Sequence, residues 1–387
     1  MALGALMLVV AGVACSGTGG AEPSVSDEVA NASPGELIGA PSPFQGYAAL
    51  ESLTQTSNTI RYRSTSGIDG SPTEVSGVLF VPKGDPPPGG WRVVSIGHST
   101  SGSASRCAPS ANIGLLGNLP TVIPFLANGY VVVMTDYQGL GTPGPHPYLE
   151  PTSAGYNIID AVRAAREAVP GTSMDWLGYG VSQGGQAVWS ANELSGDYGQ
   201  GLNLLGSISV SPATDLTPLV DSMQNGTLTD EQITVLPALL DGIRLTHPDV
   251  EPEDYLHGVL AERSDVFTAC VDEKAGLQAK IAEEVTPENY LPANVGAAER
   301  LRAALADYSE PSGPSPRPML VAYGDQDELI LPPWTENAVR EGCAMGDTID
   351  LVVAPGQGHG ILNVGRAVVD WVDGRLAGIP APTTCDR

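Results

Sequence analysis

The feature that most constrains this chain is the glycine-rich stretch from Gly178 to Gly185, which follows a strand-like apolar run and precedes a helical one. Within it, Gly180-x-Ser182-x-Gly184 matches a strand–turn–helix pattern with a serine at the apex of a sharp turn. Neighbours without side chains are needed there, because larger residues would make strand and helix collide. The helix N-terminus also directs backbone N–H groups toward any anion beside the hydroxyl. Ser182 is therefore a candidate nucleophile; a serine in an ordinary glycine-rich turn is the alternative.

Strand-like and helix-like stretches alternate from about Tyr47 onward. The strands are predicted at 76–81, 91–96, 129–135, the run before Ser182, 204–210, 318–323 and 349–354, with helices at 156–169 and 361–376. The nearly continuous apolar character of 129–135 is typical of a strand that is buried on both faces. This alternation predicts the α/β class, with a mostly parallel central sheet and helices on both faces. Together with the turn at Ser182, it predicts an α/β-hydrolase fold.

One interval breaks this alternation. Between Pro212 and Arg317 lie about 100 residues, where a crossover between parallel strands needs only a few tens. Thr229-x-x-Gln232 is a capping box, and Pro237 is expected to interrupt the helix that it opens. Further helices are predicted at 270–284 and 294–308.

We interpret this interval as an inserted helical cap at 215–316, so that residues 44–214 and 317–387 form the α/β core. Two ordinary crossover helices with long loops are the alternative. The apolar stretches 235–240 and 255–260 indicate a surface that could contact an apolar group.

A nucleophilic serine on this fold needs an acid and then a histidine, each after a later strand. The loop after strand 318–323 offers three acids, and Asp327 fits best because apolar residues and a proline follow it; Asp325 and Glu328 are the second and third choices. His359 is the candidate base, since it follows the final strand and stands between two glycines. The alternatives are an acidic surface turn and an ordinary loop histidine.

An oxyanion formed at Ser182 would need two backbone donors. The first is expected at Gln183, the residue after the nucleophile. The second is expected at Ser99 or Thr100, in the His98-Ser99-Thr100 loop after strand 91–96. A polar turn in which His98 is merely structural is the alternative for this loop.

Several blocks occur in an order that resembles the secretory lipase family, the lipase-A-like α/β-hydrolases with a large helical cap. They are His98-Ser99-Thr100, Cys107-Ala108-Pro109-Ser110, Asp136-Tyr137-Gln138-Gly139-Leu140-Gly141, His146-Pro147-Tyr148-Leu149, Asp160-Ala161-Val162-Arg163-Ala164-Ala165 and Gly180-Val181-Ser182-Gln183-Gly184-Gly185. The resemblance covers about Tyr47 to Asp386. It implies hydrolysis of triacylglycerols or simpler carboxylic esters without a cofactor. It also implies the disulfide pairs Cys107–Cys270 and Cys343–Cys385. Ser99 departs from the family pattern, in which a glycine is common.

The N-terminus indicates export. Residues 1–14 are apolar, as in a signal peptide, although the first 60 residues contain no Lys or Arg to form a positive n-region. Cys15 then precedes a polar stretch, predicted as a flexible tether over 15–43, which resembles a bacterial lipoprotein attachment site. Gly12 departs from that pattern, and an ordinary cleaved signal is the alternative. We expect a secreted protein or a cell-surface lipoprotein tethered to the membrane through Cys15.

Cysteine number and charge are consistent with export. Setting Cys15 aside leaves four cysteines, which permit three pairings and include no C-x-x-C spacing. Disulfides in an oxidising compartment are therefore favoured over a metal site. The net charge of −26 repels phosphate backbones, so no nucleic-acid partner is expected.

The leading hypothesis is thus an exported serine hydrolase, a lipase or carboxylesterase, in which Ser182 attacks an acyl carbonyl, His359 transfers the proton and Asp327 orients the histidine. An acyltransferase with the same three residues is an alternative within enzymes. A surface-anchored binding protein on a hydrolase fold is the alternative from another class.

Overall fold

A single nine-stranded sheet forms the centre of the computed structural model, which describes residue 1 and residues 26–386, apart from the side chain of Ala275. The described strands are β1 (Ser42–Pro43), β2 (Thr54–Thr65), β3 (Pro72–Pro82), β4 (Trp91–Gly97), β5 (Val131–Thr135), β6 (Thr172–Val181), β7 (Asn203–Val210), β8 (Met319–Gly324) and β9 (Ile349–Ala354). Their order is β1-β2-β3-β5-β4-β6-β7-β8-β9. The pairs β1–β2, β2–β3 and β3–β5 are antiparallel, and every pair from β5–β4 to β8–β9 is parallel. The predicted α/β-hydrolase fold with a mostly parallel sheet is confirmed.

Thirteen α-helices accompany these strands in the described part of the chain. They are α1 (Asp27–Asn31), α2 (Ala48–Leu53), α3 (Leu119–Ala127), α4 (Pro151–Ala168), α5 (Gln183–Leu194), α6 (Pro218–Asn225), α7 (Asp230–Ile243), α8 (Gly258–Glu262), α9 (Ser264–Phe267), α10 (Val271–Ala282), α11 (Val295–Asp307), α12 (Pro332–Met345) and α13 (Gly365–Leu376). None of the helices described is long and apolar enough to cross a membrane.

Helices cover both faces of the sheet because successive strand residues point to opposite sides. In β5, Val131 and Val133 pack into the cluster that contains α4 and α5, whereas Val132 and Met134 pack into the cluster that contains α3 and α13. All five residues of β5 are buried. The continuous apolar run in the sequence is thus explained by two apolar layers, one on each face.

The tether prediction is wrong for its described part. Residues 26–43 form α1 and β1, Gly35 N donates to Arg63 O at 2.8 Å, and Ile38 N donates to Arg61 O at 2.8 Å. Val29 and Ile38 are buried, at 1% and 2% exposure. A few apolar residues and main-chain bonds to β2 therefore fix a segment whose polar, Pro/Gly/Ser-containing composition suggested flexibility. The predicted signal peptide at 1–14, except for residue 1, and Cys15 lie outside the described residues.

The interval between β7 and β8 contains α6 to α11, whose apolar residues form one cluster. Tyr148 and Leu149, Ile330 and Trp334 of α12 also belong to this cluster. Both hydrogen bonds of the capping box at Thr229 and Gln232 are present. The expected interruption at Pro237 is wrong, because α7 continues through it to Ile243. The buried face of α7 offsets the lost backbone bond of the proline.

Two disulfides connect distant segments. Cys107–Cys270 joins the loop after β4 to the start of α10, and Cys343–Cys385 joins α12 to the chain after α13. These are the two pairings that the family resemblance implied.

A pair of carboxyl groups, the buried Glu310 and the partly exposed Glu193, joins the end of the helical interval to α5. Glu310, 1% exposed, hydrogen bonds to Glu193, and Ser312 N lies 3.2 Å from Glu310 Oε2 and 3.2 Å from Glu193 Oε1. Burial, and then the charge of Glu193, raise the pKa of Glu310 well above its usual value. The folded state therefore favours a proton on this carboxyl.

We expect this pair to make the folded protein less stable as the pH rises. A raised folded-state pKa contributes stability below the unfolded value near 4.5, and this contribution is lost as the pH climbs through the folded value. Glu310→Gln keeps the shape and stays neutral, so it should stabilise the protein at pH 8 by roughly 1–3 kcal/mol and have little effect near pH 4. Thermal unfolding across pH measures this difference, with Glu341→Gln as the exposed control. If the melting temperatures of Glu310→Gln and wild type depended on pH in the same way, the raised pKa of Glu310 would be contradicted.

Candidate active site

Ser182 lies at a sharp turn between β6 and α5. Its backbone has φ 57° and ψ −119°, a left-handed conformation that is costly for a residue with a side chain. Ser182 N donates to Val210 O at 2.9 Å, and Ser182 O accepts from Gln186 N at 3.1 Å. Neighbouring strand and helix bonds thus hold the strained residue in place.

This turn depends on three glycines, Gly97, Gly180 and Gly184, which approach each other closely. A Cβ on Gly184 would contact the carbonyl oxygen of Gly97 and lie 3.0 Å from its Cα, and a Cβ on Gly180 would contact Gly184 O. The end of β4 therefore lies directly against the start of α5. The loop that follows Gly97 is brought beside Ser182 by this contact.

Gly184→Ala is expected to push α5 away from β4 and lower both activity and stability, the latter by about 1–3 kcal/mol. Gly365→Ala is the matched control, because a Cβ there, at the start of α13, has no atom within 4 Å. Melting temperature and ester hydrolysis measure the outcome. If Gly184→Ala kept the wild-type melting temperature and the wild-type rate of ester hydrolysis, the close approach of α5 to β4 would be unnecessary.

The structure brings Ser182, His359 and Asp327 into one hydrogen-bonded chain. His359 Nε2 lies 2.8 Å from Ser182 Oγ, and His359 Nδ1 lies 2.8 Å from Asp327 Oδ2. Because a carboxylate only accepts, Nδ1 donates to Asp327 and Nε2 is left to accept from the serine hydroxyl. This is the tautomer that a general base for Ser182 requires.

Of the three acids in the loop after β8, Asp327 alone contacts His359. It is 3% exposed, and its Oδ1 accepts from Leu329 N at 2.9 Å and Ile330 N at 2.8 Å. Asp325 instead accepts from Gly356 N at 2.6 Å, and the side chain of Glu328 is exposed. Two backbone donors therefore orient Asp327 so that its other oxygen faces the imidazole.

The predicted oxyanion loop is held by side-chain contacts. Thr100 Oγ1 lies 2.7 Å from the hydroxyl of Tyr148, and Ser99 Oγ lies 3.5 Å from Asn118 Oδ1. Tyr148 also lines the cavity at Ser182. The sequence analysis did not single out Tyr148, although it lies in a family block; its hydroxyl links this cavity to the loop.

His146 is buried beside Gln183. It is 6% exposed, its Nδ1 donates to Gln138 O at 2.8 Å, and its Nε2 lies 3.2 Å from Gln183 Nε2. Burial lowers the pKa of His146 to about 4, so the ring is neutral at pH 7 and its Nε2 accepts from the Gln183 amide. His146 thereby fixes the side chain of the residue whose N–H is the first predicted oxyanion donor.

Asp136, which follows β5, is buried behind the oxyanion loop. Its carboxylate accepts from Ser76 Oγ at 2.6 Å, from Ser110 N at 2.8 Å and from Ser110 Oγ. His98 lies next to it, with Nδ1 2.7 Å from Ser99 O and Nε2 3.2 Å from Asp136 O. These bonds anchor the loop from behind, so Asp136 has a structural role in this arrangement.

The cavity at Ser182 is small and mostly apolar. Its free volume is about 20 Å³, room for roughly one water molecule. The lining residues are Tyr148, Leu149, Ser182, Ala213, Leu216, Leu219, Gln232, Val235, Leu239, Leu329, Ile330 and Trp334. Helices α6 and α7 therefore close over the serine. Val235 and Leu239 belong to the predicted apolar stretch 235–240, whereas no residue of 255–260 lines the cavity.

In residues 26–386, no group of three or more His, Cys, Asp or Glu side chains could hold a metal ion.

The sheet order and the turn at Ser182 are those of an α/β-hydrolase, and comparison with solved structures agrees. Candida antarctica lipase A in its closed state superimposes with a TM-score of 0.70 at 17% identity, over 93% of this chain and 86% of that one. A mutant of the rice cell wall degrading esterase LipA from Xanthomonas oryzae gives a TM-score of 0.68 at 21% identity, over 84% and 92%.

Sequence comparison also finds similar proteins. The secretory lipase family model matches residues 113–276. A secreted triacylglycerol lipase of Malassezia globosa is 23% identical over 84% of this chain and 74% of its own length. A probable inactive lipase of Mycobacterium tuberculosis is 30% identical over 48% of this chain and 42% of its own length. The predicted resemblance to the secretory lipases is confirmed, and these findings support the class of carboxylic ester hydrolases.

Proposed function

We propose that this protein hydrolyses carboxylic esters, as a lipase or carboxylesterase, through Ser182, His359 and Asp327. The observation that carries the proposal is the hydrogen-bonded chain from Ser182 Oγ to Asp327, with 2.8 Å at both contacts of His359, facing an apolar cavity. A non-catalytic binding protein has no chemical need for a strained serine aligned with a histidine and a buried carboxylate.

In the proposed reaction, Ser182 Oγ attacks the acyl carbonyl while His359 Nε2 takes its proton. His359 then protonates the departing alcohol, and the acyl group remains on Ser182. A water molecule, deprotonated by the same imidazole, attacks this acyl-enzyme, and the carboxylic acid leaves as Ser182 regains its proton. Asp327 stabilises the imidazolium at both stages.

Charge on the substrate oxygen would be stabilised by backbone N–H groups. The N–H of Gln183 at the start of α5 is one proposed donor, and that of Ser99 or Thr100 is the other. Removing such a donor typically costs about 2.7–4 kcal/mol of barrier. The contacts of Tyr148 and His146 support the two segments that supply these donors.

Residues 215–316 are proposed to act as a cap over the site, with 44–214 and 317–387 as the catalytic core. The support is the apolar cluster within the cap helices and the contribution of α6 and α7 to the cavity wall. An acyl chain does not fit the described cavity of about 20 Å³. We therefore expect substrate entry to involve movement of the cavity wall, to which α6 and α7 contribute.

Export is supported by the apolar N-terminus, the two disulfides and the secreted relative from Malassezia globosa. Attachment of a lipid to Cys15 rests on the sequence alone and stays a prediction.

Hydrolysis of p-nitrophenyl esters from acetate to palmitate is expected to be measurable and to depend on acyl length. Because the wall of the cavity is apolar, medium or long acyl chains should be preferred over acetate by about tenfold or more in kcat/KM. Val235→Asp, which places a carboxylate in this wall, should reduce the preference; Thr234→Asp, a partly exposed neighbour on α7 that does not line the cavity, should not. No hydrolysis of any ester in the series would contradict the proposed function.

A further inference from the structure

A second apolar space lies between α3 and α13. We name it the α3/α13 groove. Its volume is about 790 Å³, within the range of pockets that bind small molecules. By contrast, the cavity at Ser182 has room for roughly one water.

The inner wall of the groove is aromatic. Phe125 of α3 packs edge-to-face against Tyr130 and Tyr179, with ring centroids 5.9 and 5.2 Å apart. These rings and the aliphatic residues of α13 line one continuous surface. Ile361 and Val369, also in the lining, are 56% and 47% exposed. Large apolar side chains exposed together in this way are typical of a binding surface.

The groove has polar residues as well as apolar ones in its lining, and the polar ones include Arg92 and Lys83. It runs from Ile361, two residues after His359, to Arg92 near the start of β4. Its volume of about 790 Å³ has room for a single acyl chain.

Two cations lie at the polar end. Arg92 and Lys83 form no ion pair with another described residue, and Lys83 is one of three lysines in the sequence. Asp85 and Asp373 also line this end, beyond the 4.0 Å limit for an ion pair with either cation. The guanidinium of Arg92 is thus free to bind a carboxylate with two parallel hydrogen bonds.

From this apolar channel with unpaired cations at one end, we propose that the α3/α13 groove binds a long-chain fatty acid. The alkyl chain lies along Phe125, Tyr179 and α13, and the carboxylate lies at Arg92 and Lys83. The site is separate from Ser182, and binding there involves no covalent step.

Photo-crosslinking of the full chain with a diazirine derivative of palmitic acid locates the site. Adducts are expected on peptides from α3 and α13, and excess palmitate should suppress them. Adducts confined to peptides that line the cavity at Ser182, or the absence of suppressible adducts, would overturn the proposal. Because turnover is not measured, this result is independent of whether Ser182 hydrolyses esters.

Matched variants then test the two ends of the groove by titration with palmitate. Val369→Glu should weaken binding by about tenfold or more, because it places a carboxylate against the alkyl chain. Val353→Glu, at a comparably exposed site outside the groove (44%), should not. Equal effects of the two variants would contradict the location.

Arg92→Gln should weaken palmitate binding by roughly fivefold and leave hexadecanol binding unchanged, since the alcohol has no charge. Arg366→Gln, an exposed arginine that pairs with Asp370 outside the groove, is the control. If Arg92→Gln weakens the binding of palmitate and hexadecanol equally, or weakens neither, Arg92 does not hold the carboxylate. The proposed placement of the carboxylate at Arg92 is then wrong.

Discussion

Ser182→Ala is expected to lower kcat for ester hydrolysis by about 10⁴- to 10⁶-fold, because it removes the atom that carries the acyl group. The fold should persist, since the backbone bonds at this turn do not involve the hydroxyl. Initial rates with a p-nitrophenyl ester, together with the melting temperature, give the result.

Ser195→Ala, just after α5, is the matched control and should keep wild-type activity. Activity of Ser182→Ala within tenfold of wild type would mean that another residue carries the reaction. Loss of activity together with loss of folded protein would instead point to the strained turn, and the labelling experiment below separates these cases.

Asp327→Asn should have the second largest effect, about a 10⁴-fold fall in kcat with little change in KM. An amide at this position can still accept the two backbone bonds from Leu329 and Ile330. It does not stabilise the imidazolium, and its NH₂ group favours the wrong tautomer of His359.

Asp325→Asn tests the competing acid in the same loop. Because Asp325 bonds to Gly356 N and has no contact with His359, this variant should keep activity within a fewfold range. A larger loss for Asp325→Asn than for Asp327→Asn would contradict the proposed role of Asp327.

The parts of the fold that follow from local patterns were predictable. The apolar run of β5 is continuous because α-helices cover both of its faces, and the capping box at Thr229 is completed within four residues. The candidate residues were likewise predictable in order. Each follows the end of a strand, and the ends of parallel strands meet at one edge of a sheet.

Features set by distant contacts were not predictable. Strand β2 has a mostly polar, partly exposed sequence and is held by its pairing with β3. The segment at 26–43 is ordered by contacts with β2, and Pro237 is tolerated because α7 is buried against other helices. His146 is buried because the chain folds it against Gln183, which is 37 residues away in sequence. None of these contacts leaves a local pattern.

Mass spectrometry after reaction with a fluorophosphonate tests most directly whether Ser182 is the nucleophile. One phosphonyl group per chain is expected, on the peptide that contains Ser182, and His359→Ala should react far more slowly because the serine is no longer deprotonated. An ester-hydrolysing protein that is labelled on another residue, or is not labelled at all, would contradict the account.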